Sequence, residues 1–190
     1  MYKNNFYLFI SLLFLSSCQP VELIDKIVFD YEHLNQITLS ANQKDINNLY
    51  ESKYGDSYID YSLNQPPIFF LTKWLDNNID LIGNENKFEV NILESSLKKS
   101  EIKNNEQKKY KEKTIFLFEV KYLVEFILYS DNNSTLGSLT VEAKRTTTSG
   151  KLISVQENKN IINYLIFECL NDFSKKSEEL IKVHLKNYVL

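Results

Sequence analysis

Arginine is nearly absent from this chain of 190 residues, with Arg145 the sole example. Bidentate guanidinium clamps on phosphate are therefore largely unavailable. Net charge is −3, and without a basic excess the chain is not expected to bind nucleic acid. The four glycines, at 55, 83, 137 and 150, form neither a phosphate-binding loop nor a dinucleotide fingerprint. No G-x-S-x-G elbow is present. The two histidines, His33 and His184, have no Cys, Asp or Glu at a metal-ligand spacing. No cofactor, metal or catalytic set is expected, and the chain is not expected to be an enzyme. An apolar run long enough for a membrane-spanning helix, roughly 20 residues, is also missing.

What is plentiful is apolar and aromatic. Hydrophobic residues make up 43% and aromatics 13%, including twelve Tyr and twelve Phe. That composition predicts a folded globule. The first apolar run is short, from Phe6 to Leu15, with Lys3 ahead of it and Leu15-Ser16-Ser17-Cys18 closing it. Ten apolar residues behind a positive charge suit a signal peptide. The closing tetrad resembles the lipobox of a bacterial lipoprotein and fits a simple small-x-small cleavage site less well. The expectation is therefore removal of residues 1–17 and lipidation of Cys18, with acyl chains such as palmitate holding the protein to a membrane. Gln19 after the cysteine leans towards the outer membrane, facing the periplasm. The mature 173 residues suffice for one domain. With Cys18 acylated, Cys169 has no disulfide partner; its place on an apolar helical stripe predicts a buried small hydrophobe.

Residues 18–26 read as the lipidated cysteine and a tether, and 27–190 as a single α+β domain. Eight or nine extended residues reach about 30 Å, which keeps the globule close to its membrane. A first strand is expected over 26–31, then a long polar loop over 32–65. Tyr50, Tyr54, Tyr58 and Tyr61 in that loop either pin it to the body or form a contact surface. Pro66-Pro67 opens a helix expected to run to about Ile82, stopped by Gly83 and burying Ile68, Leu71, Trp74 or Leu75, Ile79 and Ile82. Alternation predicts strands over 87–97, 114–130 and 138–146, with a short helical turn as the alternative reading of the first half of 114–130, and a turn at 131–134. Ser154 and Glu157 have capping-box spacing ahead of a long closing helix, with a break possible at 174–177. The order strand, helix, three strands, helix gives a mainly antiparallel sheet of about four strands with two helices packed on one face.

One charge feature is specific. Lys98, Lys99, Lys103, Lys108, Lys109, Lys111 and Lys113 face only Glu101, Glu106 and Glu112, a local excess of four. It reads as a patch for anionic lipid headgroups, lipid-linked sugar phosphates or a protein partner, or as a solvated inter-strand loop.

The lipobox, Pro66-Pro67 leading to Trp74, the hairpin ending Ala143-Lys144-Arg145-Thr146 and the long closing helix look like a group of small, uncharacterised bacterial envelope lipoproteins. More remotely, the order of elements is similar to that of the auxiliary lipoproteins of ABC-type envelope lipid transporters. The resemblance covers roughly 24–185 and implies a non-enzymatic, partner-binding component that assists lipid or substrate movement across the periplasm. An envelope hydrolase with spatially gathered residues and a periplasmic lipid carrier are the competing readings.

Overall fold

The computed structural model describes residues 29–55, 57–105 and 112–190. Strands β1 (Ile37–Leu39) and β2 (Gln43–Asn48) are followed by a 3-10 turn, Asp60–Ser62. Helix α1 (Pro67–Asn78) runs directly into β3 (Ile79–Leu81), then come β4 (Lys87–Lys103), β5 (Thr114–Tyr129), β6 (Thr135–Ser149) and helix α2 (Val155–His184). Four strands make the main sheet in the order β2-β4-β5-β6, while β1 and β3 form a small parallel pair. The main sheet is antiparallel except at β2, which runs parallel to β4. Both helices pack on one of its faces, α1 against β4 and α2 against β5 and β6. The fold is α+β, as the alternation and helical periodicity predict.

The long β4–β5 hairpin follows from strict alternation. Phe118, Val120, Tyr122, Val124, Phe126 and Leu128 all turn to the helices and are fully buried. The expected helical turn at the start of β5 is strand instead, because Phe116 and Phe118 continue the same alternation as Tyr122. In β4 the inward residues change parity, from Phe88, Val90 and Ile92 to Ser95 and Leu97. A bulge between Ile92 and Glu94 makes this possible, leaving Leu93 as the extra, partly exposed residue. Without it Leu97 would face outward, since one residue of slip exchanges the two faces of a strand.

The core between helices and sheet is aromatic. Trp74 of α1 meets Phe173 of α2 edge-on at 5.6 Å between ring centroids, and Phe173 lies 5.8 Å from Tyr122 and 6.4 Å from Phe126. Trp74 is the core anchor that its helical spacing predicts. Arg145 ties β6 to α2 through Glu168 at 3.0 Å and through Asp172, which accepts from both Nε and Nη2. Helix α2 is unbroken through 174–177, where Ser174 returns its hydroxyl to the Asn171 carbonyl at 2.9 Å and stays helical. Ser154 caps it, its Oγ accepting from the Glu157 amide at 3.0 Å. Gly137 sits where a Cβ would come within 2.5 Å of Leu185 Cδ2, so the chain after α2 lies directly on the β6 backbone.

Three expectations are corrected. The described part of the expected first strand, Phe29 to Tyr31, is not strand: Phe29 stacks on Phe70 at 3.7 Å and the chain then turns. The strand that precedes α1 in the main sheet is β2, whose polar sequence Gln43 to Asn48 lacks apolar alternation. Residues 32–65 accordingly hold two strands and a 3-10 turn instead of one loop. Helix α1 ends at Asn78, not Ile82, because Ile79, Asp80 and Leu81 pair with Ile37, Thr38 and Leu39. Ile79 is buried there, whereas Ile82 is exposed.

Candidate functional site

Cys18, Lys108, Lys109 and Lys111 lie outside the described residues. The remaining lysines of the charged stretch do not form one patch. Lys98 and Lys99 continue β4, and successive strand residues point to opposite faces. Lys98 lies on the open face of the sheet, 3.7 Å from Glu119 and over the Tyr58 ring at 5.0 Å. Lys99 lies on the helix side, its ammonium 3.8 Å from the centroid of Phe116. Lys103 and Lys113 are exposed near the tip of the β4–β5 hairpin, where the Asn104 amide donates to the Lys113 carbonyl at 2.9 Å.

The same end of β4 and β5 meets the start of α2 through Glu101 and Glu112. Glu112 accepts from the backbone amides of Lys151 at 2.8 Å and Leu152 at 3.1 Å, holding the 149–154 turn against the hairpin. Lys151 pairs with Glu101, and its ammonium lies 5.7 Å from the Phe116 centroid. Lys99, Phe116, Lys151, Ile153, Ser154, Val155 and Asn158 line a hollow of about 190 Å³. Its chemistry is cationic, with an aromatic floor and the amide-rich end of a 30-residue helix beside it. Leu152 is 92% exposed and Val155 is 87% exposed, the two highest values among the large exposed apolar side chains. Neither drew notice in the sequence beyond helix capping. A readable signal existed: Leu152 lies in a turn of Ser, Gly and Lys, and Val155 opens α2 well before its first buried residue, Ile162.

The open face of the sheet is a network of cross-strand charges. Lys87 bridges Asp45 at 2.8 Å and Glu89 at 3.7 Å, Lys121 bridges Glu94 at 3.1 Å and Glu142 at 3.6 Å, and Lys144 meets Glu119 at 2.6 Å. The Lys87 partner holds the Asp45 carboxyl below its usual range, with Gln43 adding a second hydrogen bond. Burial opposes ionisation of Glu94, yet Lys121 and Ser96 still hold its carboxyl below the ordinary value.

The four loop tyrosines divide two and two. Tyr50 is buried and donates to Asp60 at 2.9 Å, and burial followed by that partner raises its pKa. Tyr58 bridges to Lys98, pinning the segment to the outer edge of β4. Tyr54 and Tyr61 are exposed and lie 5.2 Å apart, on the surface.

His33 is exposed and lies 3.0 Å from Asp30; His184 ends α2 and is also exposed. They occupy separate elements. Cys169 is buried, its thiol donating to the Val120 carbonyl at 3.7 Å, and burial pushes its pKa up to about 12. It is the small core residue that the helical stripe predicts.

No family model matches the chain, and no curated protein matches it. Among solved structures, the fold is similar to that of a minor lipoprotein from Acinetobacter baumannii, at 11% identity and a TM-score of 0.44. The likeness covers 79% of this chain and 96% of that one. An overlap this loose transfers no residue role. Among the described residues, no helix is long and apolar enough to cross a membrane.

Proposed function

We propose that this chain is a membrane-anchored bacterial lipoprotein, held through acylated Cys18, that serves as a non-enzymatic auxiliary or assembly component of an envelope lipid or substrate transport system. The observation that carries the reading is Leu15-Ser16-Ser17-Cys18 behind a ten-residue apolar run and Lys3. The anchored domain faces the periplasm, with Gln19 favouring the outer membrane. An extended chain from Cys18 to Phe29 spans at most about 40 Å, so the body works close to the bilayer. The middle of its interior is occupied by Trp74, Tyr122, Phe126 and Phe173, side chains that serve packing better than they serve carriage of a lipid.

The test is metabolic labelling with an alkyne fatty acid, followed by crosslinking in native membranes. Wild-type protein should take up the label and co-purify with a transport or assembly protein. Cys18→Ala should lose the label and leave the membrane fraction. A Cys18→Ala protein that stayed membrane-bound and kept its crosslinked partner would refute the anchor.

A further inference from the structure

We propose that the end of the molecule formed by the outer ends of β4 and β5, at Lys103 and Lys113, and by residues 149–155 is a docking surface for an anionic lipid bilayer, with Leu152 and Val155 entering the interface and lysines meeting the headgroups. The inference rests on the lipid-anchor reading, and adds to it which way the domain faces.

Three observations combine at this end. Leu152 and Val155 stand in solvent at 92% and 87% exposure, although the turn that carries Leu152 and leads into Val155 is fixed by the Lys151 and Leu152 amides, which donate to Glu112. Apolar side chains held rigidly out of a polar turn are costly in water and favourable at a membrane interface. Around them are Lys99, Lys103, Lys113, Lys151 and Lys159 against Glu101, Glu112 and Glu157, with two of those carboxylates engaged by Lys151 and by the turn amides. The amide end of α2 adds partial positive charge on the same side. Lysines near an anionic leaflet attract it while their stems lie along apolar surface.

The opposite end of the domain separates the two orientations. It also exposes apolar side chains, Ile82, Val183 and Leu190, but its exposed charges are mixed, with Asp80, Glu85 and Asp131 beside Lys182, which pairs with Glu178, and Lys186. That end therefore lacks the lysine excess that would draw it to an anionic bilayer.

Chain length permits this orientation. Phe29, where the described chain begins, packs edge-on against Phe167 at 5.5 Å. Phe167 lies twelve residues along α2 from Val155, about 18 Å at helical rise. The eleven residues from Cys18 to Phe29 reach up to about 40 Å, enough to bring an acyl anchor to the plane of Leu152.

The test places a fluorophore on the full, acylated protein through Leu152→Cys or, separately, Ile82→Cys. Each is reconstituted in vesicles of phosphatidylethanolamine and phosphatidylglycerol containing brominated acyl chains. The Leu152 probe should shift to the blue and be quenched, while the Ile82 probe should not. Replacing both lipids by phosphatidylcholine, or raising salt, should weaken the quenching. Equal quenching at the two positions, quenching at Ile82 alone, none at Leu152, or no dependence on anionic lipid would overturn the proposal.

Failure of the anchor is read separately, from the mass of the N-terminal peptide. If Cys18 carries no acyl group, co-sedimentation of the unacylated chain with phosphatidylglycerol vesicles still tests the surface. L152D/V155D should then weaken sedimentation about tenfold, given the apolar area withdrawn from the interface. An I82D/V183D pair should leave it unchanged. An equal loss in both pairs, or none in the first, would overturn the surface while leaving the lipidation question answered.

Discussion

Helix α1 ends without help from its own sequence. It has no basic residue in its last turn, and its C-cap, Ile79, is extended. Lys44 of β2 supplies the missing donors, its ammonium reaching the carbonyls of Leu75 at 2.8 Å, Asp76 at 3.0 Å and Ile79 at 2.7 Å. Lys44→Met removes the head group and keeps most of the stem. The bond to Asp76 is exposed and water can replace it; those to Leu75 and Ile79 are half-buried. Taking the low end for hydrogen bonds to a charged group, those two contribute about 3 kcal/mol. Burial already pushes the Lys44 pKa down against Asp76 and Asp80, so part of that gain is lost to desolvation. Freed side-chain entropy returns about 1 kcal/mol more. The net loss is then about 2 kcal/mol, or a fall in Tm of about 4–8 °C for a domain of this size. Urea titration should show a lower midpoint with an unchanged slope. A loss below about 0.5 kcal/mol would refute the capping role, being no larger than an ordinary surface substitution.

Acid should destabilise the fold in a defined direction. Hydrogen bonds from Lys87 to Asp45, from Lys151 to Glu101 and from Lys182 to Glu178 hold those carboxyls below their ordinary pKa values of 3.8 and 4.5, and Glu94 stands below 4.5 despite its burial. The unfolded chain therefore binds more protons in that range, so the stabilisation is complete above the ordinary values and fades as pH falls through the lowered ones. Tm followed from about pH 6 to about pH 3 should drop below about pH 4.5; a flat or rising profile there would contradict the pairing. Cys169, with its pKa pushed up to about 12 and its side chain buried, should resist iodoacetamide in native protein and react once urea unfolds it. Native labelling as fast as that of the unfolded chain would place the thiol on the surface.

Local periodicity carried the sequence reading where a strand or helix buries one clean face. The inward row from Phe118 to Leu128 and the stripe from Ile162 through Phe173 are legible because each repeats at the period of its own backbone. Strand β2 is not legible, because its register comes from Lys87 to Ile92 of β4 and no apolar pattern in Gln43 to Asn48 announces it. The end of α1 was missed for a related reason: Ile79 and Leu81 fit a continuing helix, and pairing with β1 decides otherwise. The lysine run looked like one patch because charge along a sequence has no facing direction. Strand geometry sends Lys98 and Lys99 apart.

The sequence by itself determined composition, the α+β class, the long closing helix with its Ser154 cap, the burial of Trp74 and Cys169, and the lipobox-like tetrad from which the proposed anchoring follows. These depend on neighbours a few residues apart. Tertiary structure decided which lysines share a surface, that Lys44 caps a helix thirty-odd residues away, and that Glu112 fixes the turn presenting Leu152 and Val155. Each of those contacts joins residues far apart in the chain, and only the closing of the sheet and the packing of α2 on it brings them together.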